Sequence, residues 1–225
     1  MIPLRDANPV RSTPIVNRLL LAVNLVAWIY VVYLTRQPGA LESFFDRYSF
    51  DWLTFTGRIA SGDLGVTTFV PLVSHMFLHG GWLHVLGNML YLWIFGDNVE
   101  DRLGHGTFTV FYFVCGLAAT FAQLMFNAGS HVPNLGASGA IAGVLGSYIL
   151  LFPQGRVRVL QGQQVVQMPA LLVIGFWIVL QVFSGVGSIS TAGDTGGVAY
   201  MAHVGGFLAG CVLTLVLRAR SAATV

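Results

Sequence analysis

Apolar residues run along this chain in long charge-free stretches, not in the alternation of a half-buried strand or the narrow stripe of a surface helix. Residues 19–35, 64–96, 103–155, 159–193 and 195–217 hold no Asp, Glu, Lys or Arg. The hydrocarbon core of a bilayer is about 30 Å thick, and a helix needs about 20 mainly apolar residues to cross it. The third stretch is long enough for two spans joined by a hairpin. The pattern therefore predicts six spans, near residues 16–35, 82–97, 107–127, 137–152, 169–187 and 200–217. The fourth is short, about 15 residues before Pro153, so it does not reach both faces by itself. The first is read as an anchor rather than a signal peptide, because its apolar run is too long and no small-residue cleavage site precedes Arg36. The expected class is an all-α membrane protein. Residues 16–217 form its transmembrane domain, residues 1–15 an N-terminal segment and residues 218–225 a tail.

Two connections stand out. Residues 36–81 carry Phe44, Phe45, Tyr48, Phe50, Trp52 and Phe55, and aromatic rings favour the headgroup level. Residues 184–199 are rich in glycine and serine and have little to pack, so a mobile loop is expected there. Arginine placement sets the orientation. Arg5, Arg11, Arg18, Arg102, Arg156, Arg158, Arg218 and Arg220 fall on one side, and Arg36, Arg47 and Arg58 on the other. Both termini are then expected in the cytoplasm. Size points to a prokaryotic plasma membrane.

Composition narrows the class. Apolar residues make up 55% of the chain and charged residues 9%, against roughly 25% charged in a soluble domain. The net charge is +2, which leaves no basic surface for nucleic acid. Cys115 and Cys211 both sit in apolar runs, which excludes a secreted disulfide scaffold.

Polar side chains inside a bilayer are costly unless they face protein or water, so they are functional candidates. Ser138, in Gly136-Ala137-Ser138-Gly139, opens the short fourth span. Free backbone N–H groups and the helix dipole there favour an oxyanion. The alternative is that these small residues only let helices approach. His203, Gly206 and Gly210 share one stripe of the sixth span, and Ala142, Gly143 and Gly146 give the fourth a matching small face. Two such faces pack closely enough for a serine to meet a histidine as nucleophile and base. In the second span His84 and Asn88 lie one turn apart, and both can donate to an oxygen that gains charge. His75 and His79 precede Gly80-Gly81 and are read as structural residues of the entering loop. A metal or haem site is the rival reading of these histidines, but no cysteine or carboxylate stands beside them at ligand spacing. No metal or other cofactor is expected. The zinc-protease pattern fails because His75 to His79 lacks the glutamate.

At these residues the chain resembles the rhomboid family of intramembrane serine proteases. The resemblance rests on His84-x-x-x-Asn88, Glu100-Asp101-Arg102-Leu103-Gly104, Gly136-Ala137-Ser138-Gly139 and Ala202-His203-x-x-Gly206-x-x-x-Gly210, in that order. It implies a six-helix rhomboid-like bundle in the bilayer. Ser138 is then the nucleophile and His203 the general base. His84, Asn88 and the Ser138 N–H form the oxyanion hole. Gly206, Gly210 and Gly143 pack the helices, while His79, Glu100 and Arg102 are structural. The implied substrates are other membrane proteins with a transmembrane helix, cut near the outer face, with residues 184–199 as a cap over the cavity. The family often has an aromatic residue four positions after the serine, stacked on the histidine. Here Ala142 stands there, so His203 is expected to be oriented by packing, without a third catalytic group.

Overall fold

A computed structural model describes residues 2–127, 133–190 and 199–223 of the chain. Strand β1 (Ile2–Asp6) leads to helix α1 (Ile15–Leu34). The aromatic connection then folds into α2 (Ala40–Tyr48), α3 (Trp52–Ala60), α4 (Val66–Phe69), α5 (Pro71–Ser74) and a 3₁₀ turn (His75–Phe77). Helices α6 (Trp82–Leu103), α7 (His105–Asn127) and α8 (Ser138–Leu151) follow. A hairpin of β2 (Arg156–Gln161) and β3 (Gln164–Pro169) runs directly into α9 (Ala170–Ser190), and α10 (Tyr200–Ala223) ends the described chain.

A helix stands on each of the six predicted spans, yet they are not equal. Ile15–Leu34, His105–Phe126 and Tyr200–Ala219 are each long and apolar enough to cross a membrane. Helix α6 meets that measure together with Val66–Phe77, to which it is bent by 79°. The apolar helices Ser138–Leu151 and Ala170–Gly185 are shorter. By length and composition, three helices among the described residues qualify as spans, or four with the bent pair counted as one; six full-length spans exceed that number. Helix α9 continues to Ser190, so residues 184–190 of the expected loop are helical. Residues 191–198 of that expected loop lie outside the described residues.

Helix α8 is the axis of the bundle. Every residue from Gly139 to Tyr148 is buried, as an all-apolar helix inside a protein requires. Its small residues set the spacing to α10. A Cβ added at Gly206 would land on the Gly139 carbonyl oxygen, and one at Gly210 on the Gly143 carbonyl oxygen. At Gly143 an added Cβ would come within 2.5 Å of Cys115 on α7. With no side chain between them, the backbones of α8 and α10 touch. Thr214 donates to Ser147 Oγ at 2.8 Å further along the same seam.

The expectation of an all-α chain needs correction. β1, β2 and β3 form a three-stranded antiparallel sheet in that order, at the end of the bundle where α1 begins. In β2 the buried Val157 and Val159 alternate with the exposed Arg156 and Arg158, the two-residue period of a strand. Asp6, at the end of β1, accepts from Asn98 Nδ2 at 2.8 Å and from the Tyr148 hydroxyl at 3.0 Å. Burial, with the nearby Asp97 charge adding to it, pushes the Asp6 carboxyl up to about 6.

The Glu100-Asp101-Arg102 motif closes the same end. Helix α1 has no side-chain cap of its own, and Glu100, wholly buried, supplies one. Its oxygens accept from Val16 N at 2.9 Å and Asn17 N at 2.6 Å, and Glu100 Oε1 lies 2.5 Å from His105 Nδ1. Asp101 accepts from Ser12 N at 2.7 Å. The Arg102 guanidinium lies over the Phe152 ring, 5.4 Å from its centre.

Candidate active site

Ser138 is the first residue of α8, and the first intrahelical bond goes from Ile141 N to Ala137 O. The N–H groups of Ser138, Gly139 and Ala140 therefore have no intrahelical partner. The chain reaches this point through Gly136, whose φ of +118° is open to glycine but strained for other residues. Gly136 N donates to the His75 carbonyl at 2.9 Å, and Asn134 pairs with the buried Phe50. The aromatic connection is thus the brace that aims the serine, a role beyond an interfacial loop.

His203 stands on the first turn of α10 and is buried. Its Nε2 lies 2.7 Å from Ser138 Oγ. The two residues are 65 positions apart in the chain, and the glycine-lined contact of α8 with α10 is what lets them meet. His203 Nδ1 lies 2.6 Å from Gln181 Oε1 on α9. One turn earlier on the same helix the Trp177 ring packs beside the imidazole, 5.5 Å between centres and tilted by 41°. This corrects the expectation that packing alone holds His203: a hydrogen bond and a ring, both from α9, hold it. Ala142 is wholly buried in α8 and offers no ring.

His84 and Asn88 share the face of α6 that looks toward the serine turn. A Cβ added at Gly136 would lie 2.6 Å from His84 Nε2 and 3.7 Å from Asn88 Nδ2. Asn88 Nδ2 is buried and, among the described residues, has no hydrogen-bond partner. Such a donor is costly to leave unused. It fits a site that receives an oxygen. His79, fully buried, sets its ring edge-on to His84 at 5.0 Å. His75 Nδ1 bonds the Pro71 carbonyl at 2.7 Å, and its Nε2 lies 3.0 Å from Thr120 Oγ1. Both of its nitrogens are therefore engaged in holding the loop. Among the described residues no three His, Cys, Asp or Glu side chains gather as a metal site would.

A cavity of about 20 Å³, lined by Ser138, Gly136, His75, Thr120 and Ala202 among others, adjoins the serine. It has room for about one water molecule. Gln123, from α7, accepts from Ala202 N at 3.1 Å and so caps the α10 turn that bears His203. Sequence reading passed over Gln123, Trp177 and Gln181. The two glutamines were open to the same argument as the histidines, since both are polar groups inside apolar stretches.

The site brings Ser138, His203, His84 and Asn88 together, with Gly143, Gly206 and Gly210 packing beside them. His79 supports His84, while Glu100 and Arg102 lie at the far end of α6. A family model described as the Rhomboid domain matches residues 66–220. Rhomboid protein 1, mitochondrial, of Saccharomyces cerevisiae is 30% identical over 149 residues, 64% of this chain and 41% of that protein. Presenilin-associated rhomboid-like protein, mitochondrial, of Bos taurus is 31% identical over 138 residues, 60% and 34% of the two chains. Rhomboid protease GluP of Bacillus subtilis is 32% identical over 146 residues, 64% and 26%. The chain spans about a quarter to two-fifths of the length of these relatives. Mitochondrial proteins stand among them, so the expectation of a prokaryotic plasma membrane is not supported. The model covers more than half of the chain: this is a member of the rhomboid family, an integral, multi-pass membrane protein.

Proposed function

We propose that this chain is an intramembrane serine endopeptidase that cuts transmembrane segments of other membrane proteins near the outer face. The observation that carries the reading is the 2.7 Å approach of Ser138 Oγ to His203 Nε2 at the mouth of a buried helix. His203 takes the hydroxyl proton as Ser138 attacks the scissile carbonyl. The tetrahedral oxygen then meets the free N–H groups of the α8 first turn, with His84 and Asn88 beside them. His203 returns the proton to the leaving amine, and a water hydrolyses the acyl-enzyme by the same route. Residues 16–217 are the membrane domain in this reading, with both termini cytoplasmic.

A helical substrate has its backbone internally bonded and must unwind before attack. Substrates with glycine or proline near the scissile bond lose less on unwinding and are cut faster. The second reading is a non-catalytic relative that escorts membrane clients. The retained Ser138 and His203 favour the enzyme. Purified protein in detergent, treated with a fluorophosphonate probe, separates the two. Ser138 is labelled in the protease, and Ser138→Ala and His203→Ala are not. Equal labelling of all three, or none in the parent, refutes the reading.

A further inference from the structure

We infer that Gln181 is a positioning residue for the general base. This rests on the reading of Ser138 and His203 as nucleophile and base. A carboxamide oxygen can only accept a hydrogen bond. Gln181 Oε1 at 2.6 Å from Nδ1 therefore makes Nδ1 the protonated nitrogen of His203. The lone pair is then on Nε2, the atom 2.7 Å from Ser138 Oγ. This is the tautomer a general base needs. The opposite one would offer the serine an N–H and could not take its proton. A carboxylate in this position would orient the ring in the same way, but it would be expensive to bury at membrane depth. A neutral glutamine orients the ring without that charge, and it leaves the imidazolium formed during reaction without a counter-charge.

Trp177, one turn away on α9, holds the ring from the side while Gln181 holds its proton. Both contacts come from α9; α8 meets the ring through Ser138, and its buried Ala142 has no ring to add. The orientation of the base is therefore a property of where α9 sits.

The test is the rate at which a fluorophosphonate labels Ser138 in the purified full chain in detergent, measured from pH 5 to 9. Gln181→Met keeps the side-chain volume and removes the acceptor. It is expected to label roughly tenfold more slowly, the effect of one neutral hydrogen bond. Gln181→Glu restores the acceptor and adds a charge that stabilises the imidazolium. It is expected to regain the rate at alkaline pH, with the acidic limb of the profile moved about one to three pH units higher. A residue that only supports the fold would lower the rate in both variants and leave that limb unmoved. Wild-type labelling by Gln181→Met, or a Gln181→Glu profile that superimposes on the parent, overturns the assignment. Absence of Ser138 labelling in the parent overturns the protease reading, and the role of Gln181 with it.

Discussion

Glu100 offers the most direct test of how the fold is held. It is wholly buried, and its two oxygens accept the Val16 and Asn17 amides, at 2.9 and 2.6 Å. Those amides belong to the first turn of α1, whose helix has no other side-chain cap. Glu100→Gln preserves the shape but leaves one acceptor oxygen where there were two, so at least one buried N–H loses its partner. An unsatisfied buried donor costs about 1–3 kcal/mol. Loss of favourable charge at the helix N-terminus adds roughly 0.5–1 kcal/mol. The sum, about 1.5–4 kcal/mol, corresponds to a fall in Tm of roughly 3–16 °C for a chain of this size. Thermal unfolding in detergent, in a Cys211→Ser background where a thiol-reactive dye meets only the buried Cys115 as the chain unfolds, reads this directly. Labelling of Ser138 below the new Tm should be unchanged. Glu100 lies 16 residues from His84 on α6, roughly 24 Å along the helix. A Tm within a degree of the parent would show that α1 is capped by something else, and a slower labelling rate in folded protein would show that the two ends of α6 are coupled.

Other expectations follow from the same geometry. Gly206→Ala would drive a methyl group into the Gly139 carbonyl and part α8 from α10; labelling of Ser138 should fall more than tenfold, and a wild-type rate would mean that the close contact is dispensable. Asn88→Ala removes a donor from the proposed oxyanion site and should lower kcat for a cleavable single-span substrate by about 10²–10³, with little change in Tm. Asp6, pushed up to about 6 by burial and the Asp97 charge, binds its proton more tightly in the fold than in the unfolded chain, whose value is near 3.8. Stability should therefore rise as pH falls from 8 through 6. Asp6→Asn, which mimics the protonated acid, should flatten that part of the Tm profile, and an unaltered slope would assign it to another group. A substrate helix given a glycine or proline beside the scissile bond should be cut faster, as judged by gel.

Hydropathy and charge were enough to place the long helices. Runs without a charge have one stable arrangement in lipid, so the limits expected for α1, α7 and α8 lie within a few residues of those observed. The polar residues that lipid would otherwise reject marked Ser138, His203, His84 and Asn88 for the same reason. The small strand pairs were missed because the alternation of Val157 and Val159 with arginines is brief, and β1 pairs, among the described residues, with β2, more than 150 positions away. The helical folding within residues 40–77 was overlooked for another reason. Leu41, Phe44, Phe45 and Tyr48 do follow the helical period, but the α-helices of this stretch are only four to nine residues long, and Phe50 is tied in place by its distant bridge to Asn134. Ser138 and His203 could be nominated from the chain, but their 2.7 Å approach depends on glycine backbones of α8 and α10 in direct contact. Gln181 shows the division most clearly. Its polarity in an apolar run was visible in one dimension, whereas its partner was not, because a hydrogen bond between α9 and α10 is set by how the helices pack and by nothing in the spacing of their residues.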